Sequence, residues 1–350
     1  MKFLQKNAFW LLMLIFCVSC EKIDVGHDNF VPNMEQEEET GLSSILADER
    51  LVANNFTIQN DIAYDSYDLT KFDIAIPQSD TPTGLVIYIH GGGFTSGDKS
   101  AIREGNNLTN AIHFLNNNIA VASINYRLLE NANTETVGVL KPLHDARRAL
   151  QYIRSRAEDF NIDKDNIVLN GSSAGAGTSL WIATRDDMQD LSNADPVLRE
   201  STRVKGIAIT ATQASYDIEG VWVDDVFGDY GISWNELAQD HLSTIGRFYA
   251  VTSAAEYNTP AIDAYRADVD MLSQFSADDP EIFASSTGTV VAPPTDTSIA
   301  YHHAFHVREV KKMADAVGIP NVCYYGKNPI LYEDPSGETL QEFIVRKINE

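Results

Sequence analysis

Hydrophobic and polar positions follow two alternating patterns from about residue 55 onward. Short apolar or alternating runs, typical of strands, recur along the chain, and stretches with apolar residues on one helical face lie between them. The predicted strands are 72–76, 85–89, 119–124, 166–169, 206–210, 281–285 and 321–325, and the clearest predicted helices are 145–156 and 307–317. This alternation indicates the α/β class, with a mostly parallel, doubly wound sheet and helices on both faces. Reactive groups are expected at the carboxyl ends of its strands.

One segment, residues 220–270, interrupts this alternation. It is rich in aromatic residues and contains no clear strand pattern. We expect it to form an insertion of irregular helical structure that lies over the carboxyl edge of the sheet.

The first 20 residues are predicted to be a targeting segment. Lys2 and Lys6 precede an uninterrupted apolar run at 8–18, which is shorter than the ~20 residues that span a bilayer as a helix. The run ends at Val-Ser-Cys, and this sequence resembles the lipobox of bacterial lipoprotein signals. The resemblance implies cleavage before Cys20, acylation of Cys20, export, and attachment to a bacterial membrane through that lipid.

Residues 21–50 have the composition of a solvated tether. Nine acidic residues stand against Lys22 and Arg50, a net charge of −7. The predicted organisation is therefore a signal peptide at 1–20, an acidic tether at 21–50, and one domain at 51–350 that contains the insertion.

The overall charge narrows the choice of partners. The chain of 350 residues has 26 Lys and Arg against 50 Asp and Glu, a formal net charge of −24. A phosphate backbone or an anionic membrane surface would be repelled by this charge. We therefore expect no nucleic-acid partner and contact with a membrane only through the lipid anchor.

Two motifs carry the candidate chemistry. His-Gly-Gly-Gly-Phe at 90–94 directly follows the strand at 85–89, and Gly-Ser-Ser-Ala-Gly at 171–175 lies between a strand and a helix. Together they resemble the α/β-hydrolase superfamily, in particular the HGGG esterases related to hormone-sensitive lipase and to bacterial acetylxylan and feruloyl esterases. The resemblance covers roughly residues 55–330 and implies the α/β-hydrolase fold.

The resemblance implies a role for each motif residue. Ser173 would be the nucleophile on a strained turn, with glycines on both sides that let strand and helix cross closely. Backbone N–H groups of Gly92, Gly93 and Ala174 would stabilise the negative oxygen of the transition state. His90 would hold the glycine loop. This chemistry needs no metal and no organic cofactor.

The general base is the point at which the chain departs from the family. The family's base is a histidine shortly after the last strand, yet no histidine follows His306. We hypothesise that His302 or His303 supplies the base from a displaced position, helped by Asp296, because triads are defined by geometry rather than order. The alternatives are that these histidines only begin a polar helix, or that His302 and His306, at i and i+4, bind a metal.

The resulting functional prediction is a secreted, lipid-anchored serine esterase. The resemblance implies small acyl esters as substrates, such as acetyl or feruloyl groups on carbohydrate. Because the usual base is missing, the alternative is a catalytically impaired lipoprotein of the same fold that binds a glycan or a protein. A peptidase of the prolyl-oligopeptidase type shares Gly-x-Ser-x-Gly, but no propeller-like repeat precedes the domain.

Overall fold

A nine-stranded, mostly parallel sheet organises the described part of the chain. The computed structural model describes residues 42, 45, 48–52, 56–239, 242–287, 293–294, 296–328 and 330–350, which belong to one compact unit, Glu39–Glu350. Cys20, the predicted signal peptide and most of the predicted tether lie outside these residues.

The strands pair in the order β1-β2-β4-β3-β5-β6-β7-β8-β9. In chain order they are β1 (Phe56–Ala63), β2 (Lys71–Pro77), β3 (Thr83–Ile89), β4 (Ala120–Ile124), β5 (Ile162–Ser172), β6 (Gly206–Thr210), β7 (Glu281–Ser286), β8 (Asn321–Lys327) and β9 (Ile330–Tyr332). The six strands from β4 to β8 in this order pair in parallel, whereas β1, β2 and β9 run antiparallel to their neighbours.

All seven predicted strands are confirmed. The sheet contains two further strands, β1 and β9, that the sequence pattern did not predict. The central strands are short apolar runs because both of their faces are covered; all five residues of β4 are buried. The first unpredicted strand, β1, alternates half-buried and exposed residues, as expected of an edge strand with one solvated face. The second, β9, has only three residues, too few for a periodic signal.

Helices cover both faces of the sheet. In chain order they are α1 (Gly105–Asn116), α2 (Leu140–Ser155), α3 (Ala174–Ala183), α4 (Trp234–Gln239), α5 (Leu242–Tyr249), α6 (Ala254–Tyr257), α7 (Pro260–Asp268), α8 (Thr297–His302), α9 (Ala304–Val317) and α10 (Leu340–Asn349). Buried residues of α1 and α10 pack in one core cluster, and those of α2, α3 and α9 pack in the other. The predicted doubly wound α/β arrangement is therefore confirmed.

The insertion between β6 and β7 is helical and irregular, as predicted. A π-helical segment, Ile218–Val226, and a short 3-10 turn, Gly228–Tyr230, precede the short helices α4 to α7. Arg247 and Phe248 of α5 line a cleft together with residues at the carboxyl ends of β5, β6 and β7. The insertion thus covers this edge of the sheet. Among the described residues, no helix is long and apolar enough to cross a membrane.

Candidate active site

Ser173 lies on a strained turn between β5 and α3. Its φ of 53° and ψ of −120° are a conformation that residues with a Cβ rarely adopt. Two backbone hydrogen bonds hold the turn: the Ser173 N–H donates to the Thr210 carbonyl at 3.0 Å, and the Gly177 N–H donates to the Ser173 carbonyl at 3.0 Å. The geometry is that of a nucleophile elbow.

The glycines around Ser173 allow the close crossing that the sequence predicted. A Cβ on Gly175 would lie 1.9 Å from the Ile89 carbonyl oxygen, at the end of β3. A Cβ on Gly171 would lie 2.3 Å from the Gly175 carbonyl oxygen. Real Cβ atoms do not approach backbone oxygen this closely, so glycine is required at both positions.

The glycine loop that follows β3 folds back on itself beside the elbow. Gly92 and Gly93 have φ values of 109° and 59°, and the Gly92 carbonyl accepts hydrogen bonds from the N–H groups of Thr95 and Ser96. Ala174 is the first residue of α3, where a backbone N–H has no partner within its own helix. Gly92, Gly93 and Ala174 line the same cleft as Ser173, so the structure brings the three predicted oxyanion-hole residues together with the predicted nucleophile.

His90 holds the glycine loop in place through a hydrogen bond and a ring contact, as the sequence predicted. Its Nδ1–H donates to the Gly91 carbonyl at 2.7 Å, and its ring stacks on Tyr126 with 4.2 Å between ring centroids. The Tyr126 hydroxyl donates to the His90 carbonyl at 2.8 Å. Burial lowers the pKa of His90, so the ring is neutral at pH 7.

His302 is the histidine that meets the serine. It is the last residue of α8, and its Nε2 lies 2.8 Å from Ser173 Oγ. Burial lowers the pKa of His302, and a hydrogen bond to the Ser298 carbonyl offsets part of that effect. A neutral ring that donates from Nδ1 to this carbonyl presents the lone pair of Nε2 to the serine hydroxyl.

The prediction that His303 could be the base is wrong. This residue is fully buried, its Nδ1 accepts the Phe305 N–H at 3.1 Å, and its Nε2 lies 3.3 Å from the Tyr230 hydroxyl. It is the N-cap of α9. Because α8 ends at His302 and α9 begins after His303, the two side chains point to different surroundings.

The predicted pairing of Asp296 with the catalytic histidine is also wrong. The Asp296 carboxylate is exposed and accepts the Ile299 N–H at 2.9 Å, so it caps the start of α8. His302 lies at the other end of that helix, six residues later, which is about 9 Å along the axis. Asp296 therefore stabilises the helix that carries His302 and does not orient the ring.

The metal alternative fails at His306. Its Nδ1 accepts the Ala214 N–H at 3.2 Å, its Nε2–H donates to the Ala300 carbonyl at 2.9 Å, and burial lowers its pKa to about 3. Both ring nitrogens are thus used within the fold. Within the described ranges, no group of three or more His, Cys, Asp or Glu residues could hold a metal ion.

Two residues that sequence analysis missed hold the end of α8. Gln213 Nε2 donates to the Tyr301 carbonyl at 2.7 Å, and Ser286 Oγ donates to the His302 carbonyl at 3.1 Å. Gln213 follows β6 and Ser286 is the last residue of β7, so both lie at the edge where reactive groups collect. Their position after predicted strands was the available signal.

The cleft above Ser173 is large, and several amide side chains lie among its lining residues. It encloses about 1250 Å³ at the carboxyl edge of the sheet. The amide-bearing residues of its lining are Asn106, Asn107, Asn110, Asn170, Gln213 and Gln341. Such groups can donate and accept hydrogen bonds with a polyhydroxylated ligand.

Comparisons with known proteins agree with this architecture. The chain has the α/β-hydrolase fold, as the resemblance implied. Residues 72–225 match the BD-FAE family model, a span that contains both the glycine loop and the elbow.

Individual relatives and solved structures are more distant. Lipase 2 of Geotrichum candidum is 25% identical over 173 residues, 46% of this chain and 29% of the lipase. The chain thus spans less than a third of the length of the curated relatives that it matches. A truncated carbohydrate esterase from gut microbiota has a TM-score of 0.57 at 17% identity and covers 84% of this chain and 97% of its own. An acetyl ester-xyloside bifunctional hydrolase from Caldicellulosiruptor lactoaceticus has a TM-score of 0.50 at 18% identity, covering 76% and 80%.

Proposed function

We propose that this protein is a serine esterase that hydrolyses small acyl esters through an acyl-enzyme on Ser173. The observation that carries the proposal is the 2.8 Å contact between Ser173 Oγ and His302 Nε2 on the floor of the cleft, beside the glycine loop. A serine hydroxyl is a weak nucleophile until an adjacent base accepts its proton. The neutral ring of His302 supplies that base.

The proposed reaction has two halves. In the first, Ser173 Oγ bonds to the ester carbonyl carbon as its proton passes to His302 Nε2, and the carbonyl oxygen becomes negative. The N–H groups of Gly92, Gly93 and Ala174 stabilise that oxygen. The C–O bond to the alcohol then breaks, and His302 returns the proton to the departing oxygen. In the second half, water takes the place of the alcohol and the carboxylic acid is released.

The Ser298 carbonyl performs part of the task that a carboxylate performs in a triad. By accepting the Nδ1–H of His302, it fixes the tautomer whose Nε2 faces Ser173. Gln213 and Ser286 are positioning residues, because they hold the backbone of α8 at the point where it presents His302.

We propose acyl esters of carbohydrates, such as acetyl or feruloyl esters, as the substrate class. The amide-rich lining of the cleft supports this class, because amides match the hydroxyl groups of a sugar. The names of two solved structures of similar fold, a carbohydrate esterase and an acetyl ester-xyloside hydrolase, point in the same direction.

The proposed activity is tested with a fluorophosphonate probe and acetylated xylan. We expect covalent labelling of Ser173, located by peptide mass spectrometry, and release of acetate from the polymer. Ser172→Ala is the matched control, because it changes the neighbouring serine and should still be labelled. A folded protein that neither reacts with the probe nor releases acetate from xylan or from 4-nitrophenyl acetate would refute the proposal.

The observation that suggested the alternative, a binding protein without activity, no longer supports it. It was based on the absence of a histidine after the last strand. His302 takes up the contact with Ser173 from the segment that follows β7.

We further propose that the protein is exported and anchored to a bacterial membrane by a lipid on Cys20. The proposal is supported by the apolar run and the Val-Ser-Cys sequence at its end. We expect a labelled fatty acid supplied to a bacterial host to be incorporated into the wild-type protein and not into Cys20→Ala. Cys17→Ala is the matched control and should still incorporate the label. Equal incorporation by both variants would contradict the anchor.

A further inference from the structure

The cleft differs in charge from the rest of the molecule. Acidic residues outnumber basic ones by 50 to 26 in the whole chain. Even so, the described lining of the cleft contains no Asp and no Glu, and Arg247 is its one permanently charged side chain. A cleft lined by charged residues in the same proportion as the whole chain would be acidic.

Arg247 lines the same cleft as the candidate catalytic groups Ser173 and His302. It is in the last turn of α5, and the next residue, Phe248, packs its ring against three others, two of which adjoin the candidate catalytic segments. The Phe248 centroid is 5.9 Å from that of Phe94 and 6.3 Å from that of Tyr301. Phe94 directly follows Gly93 of the glycine loop, and Tyr301 directly precedes His302. Arg247 therefore borders the same space as the reacting ester.

The guanidinium of Arg247 has no partner among the described residues. Its Nε is buried and unbonded, and no ion pair or hydrogen bond to the side chain is found in that part of the chain. Arg127 and Arg266 are paired, with Asp145 at 2.6 Å and with Asp217 at 2.8 Å. The Nε atoms of Arg103 and Arg147 are also buried and unbonded, but these two residues do not line the cleft, whereas Arg247 does.

A position in the last turn of a helix favours a cation, which gives Arg247 an ordinary structural role. That role does not require the side chain to line the cleft or to bury an unbonded donor. A buried donor without a partner costs stability that an incoming acceptor restores. Because this unbonded group lines the cleft, a ligand held there can supply the missing acceptor.

We propose that Arg247 binds a carboxylate on the substrate, so that the enzyme prefers anionic esters. The inference rests on the proposed esterase function and deepens it. The planar guanidinium matches a carboxylate with two parallel hydrogen bonds. The carboxylate belongs either to the alcohol part, as in an acylated uronic acid, or to the acyl part, as in a half-ester of a dicarboxylic acid.

Two matched substrate pairs distinguish these sources. For the alcohol side the pair is 4-acetoxybenzoate and its methyl ester; for the acyl side it is the 4-nitrophenyl half-ester of adipic acid and 4-nitrophenyl hexanoate. The measured quantity is the ratio of kcat/KM for the anionic ester to that for the neutral one. We expect Arg247→Gln to lower this ratio about 10- to 100-fold in one pair, and Arg247→Lys to lower it less. A change below about threefold in both pairs would overturn the inference.

A binding experiment keeps this test separate from that of the activity. In the Ser173→Ala protein, calorimetry gives the Kd for each ester without turnover. We expect the added Arg247→Gln change to weaken binding of the anionic ester of one pair about tenfold or more relative to its neutral partner. Equal weakening of both partners would overturn the role of Arg247. A wild-type protein that binds anionic esters through Arg247 but hydrolyses none would instead refute the esterase function alone.

Discussion

Replacement of either Ser173 or His302 by alanine is expected to lower kcat for ester hydrolysis about 10⁴- to 10⁶-fold. The hydroxyl and the imidazole share one proton across the 2.8 Å contact, so each is without function when the other is missing. The double variant should therefore be no slower than either single variant. Hydrolysis of 4-nitrophenyl acetate by the three purified proteins, with circular dichroism to check folding, measures this.

The neighbouring histidine provides the matched control. His303→Asn keeps a side chain that can accept the Phe305 N–H at the start of α9. We expect this variant to retain activity within about tenfold of the wild type, because His303 does not contact Ser173. Equal losses in folded His302→Ala and His303→Asn proteins, or losses that multiply in the double variant, would contradict the assignment of the base.

The pH dependence of the wild type gives a second readout of the same assignment. Only neutral His302 can accept the serine proton, so kcat/KM falls when the pH drops through the pKa of this residue. Burial lowers that pKa from the ordinary value of about 6.5. The rate should therefore be constant near pH 7 and halve below pH 6.5, and the residual rate of His302→Ala should lack this step.

The parts of the site that could be predicted from the sequence are those that short segments encode. The elbow at Ser173 and the loop at Gly92 each need only a strand, a few glycines and a turn, all of which are local. The histidine is different, because it is 129 residues from Ser173. The sequence indicated the correct edge of the sheet, but the choice between His302 and His303 depends on where α8 ends.

The remaining features leave no side-chain signature in the sequence. The group that accepts the His302 Nδ1–H is the backbone carbonyl of Ser298, and every residue has such a carbonyl. Arg247 is distinguished by lining the cleft without a described partner, and both features are properties of tertiary structure. Strand β1 was hidden for a related reason: polar residues on its solvated face break the apolar run, and its strand character depends on pairing with β2.

Gly175→Ala is expected to cause the largest loss of stability of any single methyl addition near the site. The new Cβ would lie 1.9 Å from the Ile89 carbonyl oxygen and 2.8 Å from that of His90. Both obstacles are backbone atoms, so the strand or the helix must move. We expect a loss of about 3 kcal/mol in the free energy of unfolding, at the upper end for overpacking. For a domain of this size that corresponds to a fall in Tm of roughly 6–12 °C.

The control is the same substitution where space is available. Gly228 lies in a short helical turn, and its Cβ would meet no atom closer than 3.9 Å. Gly228→Ala should change the free energy of unfolding by less than about 1 kcal/mol. Thermal and urea unfolding of both variants measure the difference, and a Gly175→Ala protein with the Tm of the Gly228→Ala protein would contradict the steric argument.

Activity should respond to Gly175→Ala more than stability does. The atoms that block the new Cβ belong to Ile89 and His90, directly before the glycine loop, and Gly175 is two residues from Ser173. The movement that relieves the clash therefore separates the nucleophile from the N–H groups of Gly92 and Gly93. Loss of one oxyanion donor costs about 10²- to 10³-fold in kcat. A Gly175→Ala protein that is still folded at the assay temperature should show a loss of at least about that size, because the close crossing at this glycine sets the geometry of the site.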